Sequence, residues 1–118
     1  MLRITLAASL LATLVFTLSA SATAPPVGPL PKGPVTSIST SKGSLVSVAL
    51  PSRAGKSWRL ARAVSSHVLL QVSEANVGNA VVVVYRAVGQ GSVSVRYGLT
   101  RGETSKAYAS ATFNVSVK

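Results

Sequence analysis

The chain of 118 residues contains no cysteine and no aspartate, a single histidine and two glutamates, Glu74 and Glu103. Without cysteine there is no disulfide framework, no thiolate metal site, no thiol nucleophile and no lipid attachment at a signal junction. Most enzymes bring several titratable groups together, and here the inventory is too thin for that. Ser65 and Ser66 beside His67 form the one conceivable nucleophile–base pair, and its ring would need orienting by Glu74 or a backbone carbonyl. Neighbouring residues on a strand point to opposite faces, so Ser66 and His67 would not meet. No spacing of ligands suits a metal. Gly89-Gln90-Gly91 reads as a turn and has no helix after it to cradle a phosphate. The expectation is a non-enzyme with no cofactor and no metal.

Against two acids stand 12 Lys and Arg, a net charge of +10. Such a surface attracts anions, whether nucleic acid, lipid head groups, acidic polysaccharide or an acidic protein. It also keeps a small exported domain soluble. Aromatic residues make up only 5% of the chain. The basic residues therefore lack a stacking platform, and sequence-specific nucleic-acid binding is not expected.

At the N-terminus, Arg3 precedes an apolar run from Ile4 to Leu18, followed by small residues. This is the layout of a secretory signal. The run is shorter than a spanning helix requires, and Ser9, Thr13 and Thr17 interrupt it. Ala20-Ser21-Ala22 and Ala22-Thr23-Ala24 are both candidate cleavage sites. The second would leave Pro25 just after the cut, so cleavage after Ala22 is preferred and cleavage after Ala24 is the alternative. Residues 1–22 are thus read as the signal and the product as secreted or periplasmic. What remains is large enough for one core, burying about 60% or more of its extended surface.

Five of the six prolines lie in "PPVGPLPKGP", Pro25 to Pro34. They favour extended polyproline geometry, so residues 23–34 read as a stiff leader. From Val35 the pattern has a period of two. Val46, Val48 and Leu50 share a face, as do Val93, Val95 and Tyr97. In the last segment Ala109, Ala111, Phe113, Val115 and Val117 alternate with Tyr108, Ser110, Thr112, Asn114 and Ser116. Such alternation marks half-buried strands. "AVVVVYRA", apolar on both faces, suits a central strand. With "VTSIST", "SWRLARA" and "HVLLQV" the total is about seven. Turn signals at Ser41 to Gly43, Arg53 to Gly55, Asn76 to Asn79 and Gly89 to Gly91 separate most of them. The pattern predicts an all-β, antiparallel, immunoglobulin-like sandwich over residues 35–118. Arg53, Lys56, Arg59 and Arg62 recur every third residue, as on a basic helix lying on a membrane. Pro51, Gly55 and the lack of an opposing apolar stripe favour a strand, with Trp58 and Leu60 inward and Arg59 outward. "NVS" at Asn114 to Ser116 matches a glycosylation sequon, a weakly specific pattern.

With the strands placed, the chain from about Thr36 to Lys118 resembles the chagasin family, secreted β-sandwich inhibitors of papain-like cysteine proteases. "GSLVSVALPSRAGKSW" is similar to the family's strand that opens on Gly-x-x-Val and ends in Leu-Pro before a loop to Gly-x-x-Trp. The matching positions are Gly43, Val46, Leu50, Pro51, Ser52, Gly55 and Trp58. "VVVVYRAVGQGSVSVRYGLTRG" resembles its paired strands around an Ala-Gly turn, here near Gly89, ending in a tyrosine, here Tyr97. "ATFNVSVK" resembles its closing strand.

The resemblance implies a non-enzymatic inhibitor whose three loops at one end of the sandwich occlude a protease cleft. The loop residues it implies are Arg53, Ala54, Gly55 and Lys56, then Val77, Gly78 and Asn79, then Leu99, Thr100 and Arg101. All three loops depart from the family's motifs. The central loop is shorter and keeps only its closing glycine. The flanking loop has one glycine, and the third has no aromatic where the family carries Trp or Phe. Arg53 and Lys56 would favour a cleft with an acidic rim by speeding encounter. The alternative is a non-enzymatic exported module that binds a polyanion, cell surface or protein through a basic face of Arg53, Lys56, Arg59 and Arg62. Either way a monomer is expected, with a papain-like cysteine protease or an anionic surface as partner.

Overall fold

The computed structural model describes residues 24–118, so the expected signal segment lies outside the described residues. Seven strands follow one another: β1 (Val35–Thr40), β2 (Leu45–Pro51), β3 (Ser57–Leu60), β4 (Leu69–Val77), β5 (Ala80–Ala87), β6 (Gly91–Thr100) and β7 (Ala109–Val117). They form a four-stranded sheet in the order β1-β7-β6-β3 and a three-stranded sheet in the order β2-β5-β4. This is the expected all-β sandwich, antiparallel at every pairing except β1 with β7, which is parallel.

Two strands have other bounds than the alternation predicts. The strand expected from Ser57 to Ala63 ends at Leu60, and the one expected over "HVLLQV" begins at Leu69 and runs on to Val77. Between them a turn closes with the Val68 and Leu69 amides donating to the Ser65 carbonyl. The basic segment around Arg59 is a strand rather than a helix.

The core is the contact between the two inner faces, and its members are the alternating residues. Val46, Val48 and Leu50 from β2 and Val83, Tyr85 and Ala87 from β5 face Val95, Tyr97, Ala111, Phe113, Val115 and Val117 from β6 and β7. Tyr97 and Phe113 meet edge to face, with ring centroids 6.3 Å apart, an arrangement aromatic pairs prefer. Trp58 packs on the margin of this core and donates its indole N–H to the Pro51 carbonyl at 2.8 Å. Leu60 shares the inner face, opposite Tyr97, but is not buried as expected. It lies on an edge strand and remains 37% exposed.

Two hydroxyls sit inside this apolar layer. Tyr85 on β5 and Tyr97 on β6 bring their oxygens to 2.6 Å, so one hydrogen bond joins the two sheets through the core. Burial is the largest cause raising both phenols above the usual range. The mutual hydrogen bond lowers Tyr85 and raises Tyr97, and the Glu74 charge raises both.

The proline-rich leader is docked, not free-standing. Proline has no amide donor, so such a segment can join a fold only through its carbonyls and side chains. The Pro25, Pro31 and Pro34 carbonyls accept from the Arg59 guanidinium, the Ser110 hydroxyl and the Thr112 amide, the last two at 2.6 and 3.0 Å. The Gly28 amide donates to the Ser105 carbonyl at 2.7 Å. The segment thus covers the outer face of the four-stranded sheet and runs directly into the parallel β1–β7 ladder. Gly98 makes room for it. A Cβ at this position would lie 2.7 Å from a Val27 methyl and 3.0 Å from a Leu30 methyl.

Two outcomes test this description. Tyr85→Phe or Tyr97→Phe alone strands one buried hydroxyl and should cost about 1–3 kcal/mol in denaturant unfolding, while the double variant should cost less than the sum. Because the folded-state phenols are raised, their contribution is fully present below about pH 10, the unfolded value. It is lost as pH climbs beyond that, a decline the double variant should lack. Separately, Gly98→Val should speed amide exchange at Gly28 and lower stability by about 1–3 kcal/mol, with the inner-face core retained. Unchanged exchange at Gly28 would contradict the docking of the leader.

Candidate functional site

Antiparallel pairing sends alternate connections to opposite ends. Pro51 pairs with Ala80 and Ser57 with Thr100. The β2–β3, β4–β5 and β6–β7 connections therefore share one end of the sandwich. Those after β1, β3 and β5 share the other, where the Lys42 amide meets the Lys118 carbonyl and the Val88 amide meets the Val68 carbonyl. Ser66 and His67 lie in the turn between β3 and β4, exposed and away from the three-loop end. Among the described residues no three His, Cys, Asp or Glu gather as a metal site.

The β2–β3 connection is a tight turn. The Lys56 amide donates to the Arg53 carbonyl at 3.2 Å, and Gly55 has φ 73°, a value that L side chains rarely adopt. Arg53, Ala54 and Gly55 are exposed and Lys56 is half-buried. The β4–β5 connection is shorter than the expected Asn76 to Asn79. Only Gly78 and Asn79 turn, with Gly78 at φ 60°, as two-residue hairpin loops demand. Val77 ends β4 and is exposed. The Asn79 carbonyl accepts from the Ser52 amide at 2.8 Å, tying the second loop to the first.

The third connection is where the sequence-based placement needs correcting. Leu99 and Thr100 belong to β6, not to a loop, and both are buried. Thr100 donates its hydroxyl to the Gly102 carbonyl at 2.8 Å, which fixes the start of the loop. Of the expected trio only Arg101 is exposed. The loop runs from Arg101 to Ala107, and Tyr108 stands at its far foot, 41% exposed. Its backbone amide bonds the Leu99 carbonyl at 2.7 Å. Three cations approach its ring: Lys56 Nζ at 5.2 Å, Arg101 Cζ at 5.6 Å and Lys106 Nζ at 5.0 Å from the centroid. Lys56 comes from the first loop and the other two from the third, so the ring gathers charge from separate parts of the chain. Tyr108 carries a signal in the sequence, being the one aromatic on the polar side of the last strand's alternation.

A second feature also lay beyond simple alternation. A β-bulge between Gln71 and Ser73 shifts the register of β4. After it, Glu74 pairs with Val83 and Asn76 with Val81, so both take the inner face at the sandwich edge. Together with Arg53, Lys56 and Trp58 they line a pocket of about 400 Å³ behind the first loop.

The four residues of the expected basic face do not form one surface. Arg53 and Lys56 are at the three-loop end. Arg59 is half-buried, with its guanidinium donating to the Thr104 carbonyl at 2.5 Å and to the Pro25 carbonyl. Arg62 is exposed and, with Arg96 and residues Val27 to Leu30 of the leader, lines a pocket away from the three-loop end.

No family model matches the chain, and no curated protein matches it in sequence. Solved structures do match in fold. A cysteine protease inhibitor from Entamoeba histolytica, EhICP2, superposes with a TM-score of 0.58 at 12% identity, covering 75% of this chain and 99% of its own. PbICP-C, solved in complex with falcipain-2, superposes with a TM-score of 0.56 at 13% identity, covering 78% and 94%. The likeness is one of fold, and at that level the chagasin-like frame expected from the sequence is present in this chain.

Proposed function

We propose that the protein is a secreted, non-catalytic inhibitor of papain-like cysteine proteases that occludes the substrate cleft with the three connections at one end of its sandwich. The observation that carries the reading is the convergence of those connections. Their ends are fixed by the Ser52–Asn79 bond, the Ser57–Thr100 pairing and the Thr100–Gly102 bond. The likeness in fold to EhICP2 and to PbICP-C supports it. Loops held by a rigid scaffold bind with less ordering cost than free ones, and each of the three here is short. The first and second present Arg53, Ala54 and Gly55 beside Gly78 and Asn79. The third presents Arg101. The altered loop chemistry makes a narrowed or shifted target range part of the proposal.

Binding of an extended polyanion through a basic face draws less support. The stripe it needs is broken at Arg59, whose donors are engaged by two backbone carbonyls.

Titration of the mature protein against papain-like cysteine proteases and falcipain-2 tests the proposal. Inhibition of at least one at micromolar concentration or below is expected. Gly55→Val, which cannot hold the turn's positive φ without strain, should weaken that inhibition about tenfold or more while the domain stays folded. Absence of inhibition across the set would rule the proposal out.

A further inference from the structure

Lys56, Arg101 and Lys106 surround one exposed ring, and no two of their charged groups are further apart than about 11 Å, the sum of the two longer centroid distances. Charges this close repel one another over roughly one screening length at physiological salt. The negative face of the tyrosine ring offsets part of that repulsion. An anion arriving at the rim of the ring would relieve the rest. The one acid in the same loop, Glu103, is a single charge against three.

We infer that Tyr108, with Lys56, Arg101 and Lys106, is a recognition patch for a compact cluster of carboxylates on the protein that the three loops engage. The inference rests on the protease-binding reading and adds to it the chemistry of the target's rim. Position argues for a protein partner, because the patch is continuous with the loop end: Lys56 closes the first loop and Arg101 opens the third. Composition argues the same way, since exposed tyrosine and arginine are favoured as anchors at protein interfaces.

Size argues against a long polyanion. Arg53 lies next to the patch on the first loop, but the track does not continue along β3, where the Arg59 guanidinium is bound to the Pro25 and Thr104 carbonyls. Tyr108 supplies apolar area at the centre, and the three cations hold carboxylates around it. The aromatic contact missing from the third loop's leading strand is thereby provided from its far foot.

The test compares the wild type, Tyr108→Ala, a patch variant (Lys56→Gln, Arg101→Gln, Lys106→Gln) and a control that loses the same charge at the opposite end (Lys42→Gln, Arg86→Gln, Lys118→Gln). Each is mixed with an oligoglutamate peptide and, in a parallel arm, a heparin fragment of similar charge, and followed by NMR amide shifts at about 0.15 M salt. Peptide shifts should centre on Tyr108, Lys56, Arg101 and Lys106, persist in the control and vanish in the patch variant. Against any inhibited protease, Tyr108→Ala should weaken inhibition about 30-fold, and the patch variant should slow association about tenfold or more at low salt. Peptide shifts spread over all the cations, or lost equally in the control, would overturn the inference. So would tenfold tighter binding of heparin than of peptide. A patch that maps as expected in a protein inhibiting no protease would leave the patch standing and remove the protease reading instead.

Discussion

The two sheets hold each other through their inner faces, and nothing covalent assists them. Each valine, leucine or aromatic side chain buried between the layers contributes about 1.5–3 kcal/mol, and the described core draws them from β2, β4, β5, β6 and β7. Two side-chain hydrogen bonds link sheet to sheet, Tyr85 with Tyr97 in the middle of that layer and the Trp58 indole to the Pro51 carbonyl at its margin. Burial fixes which residues face inward, and these two bonds tie the layers together at two points. Strand order within each sheet then leaves β3 and β4 at edges and sets the end at which each connection emerges.

The leader illustrates how a residue type limits its own use. A run of prolines offers acceptors but few donors, so it cannot extend a sheet in the ordinary way. It lies instead across the outer face, where Ser110, Thr112 and Arg59 supply the donors and Gly98 supplies the space. This arrangement also engages Arg59, which bridges the beginning of the leader and the third loop. The loop that carries Arg101 and Lys106 is thereby braced from behind by Arg59 and from its root by Thr100. A braced loop presents its side chains at lower entropic cost than a free one.

Much of the fold was legible in the sequence because burial acts on every second residue. The inner faces of β2, β6 and β7 follow the alternation from Val46, Val93 and Ala109 onward. What was not legible depends on pairing between distant strands. The parallel β1–β7 ladder joins the first strand to the last, a pairing that local pattern does not encode. Leu60 has the right parity but lies on an edge. Glu74 and Asn76 change face because of one extra residue, Val72, between Gln71 and Ser73. At the candidate site the turn at Gly55 and the hairpin at Gly78 were marked by glycine itself. Leu99 and Thr100 read as loop residues because the end of β6 has no turn signal until Gly102. Tyr108 stood on a polar face, where its neighbours in sequence gave no sign of Lys56.

The central claim is that one end of this sandwich, and not its sheets or leader, meets a protease. Amide hydrogen exchange of residues 23–118, alone and with an excess of a papain-like protease, measures that directly. Protection is expected at residues 52–56, 77–80 and 101–108 and nowhere else. Protection centred on the outer face of β2, β5 and β4 or on the docked leader, with the three connections unchanged, would contradict it.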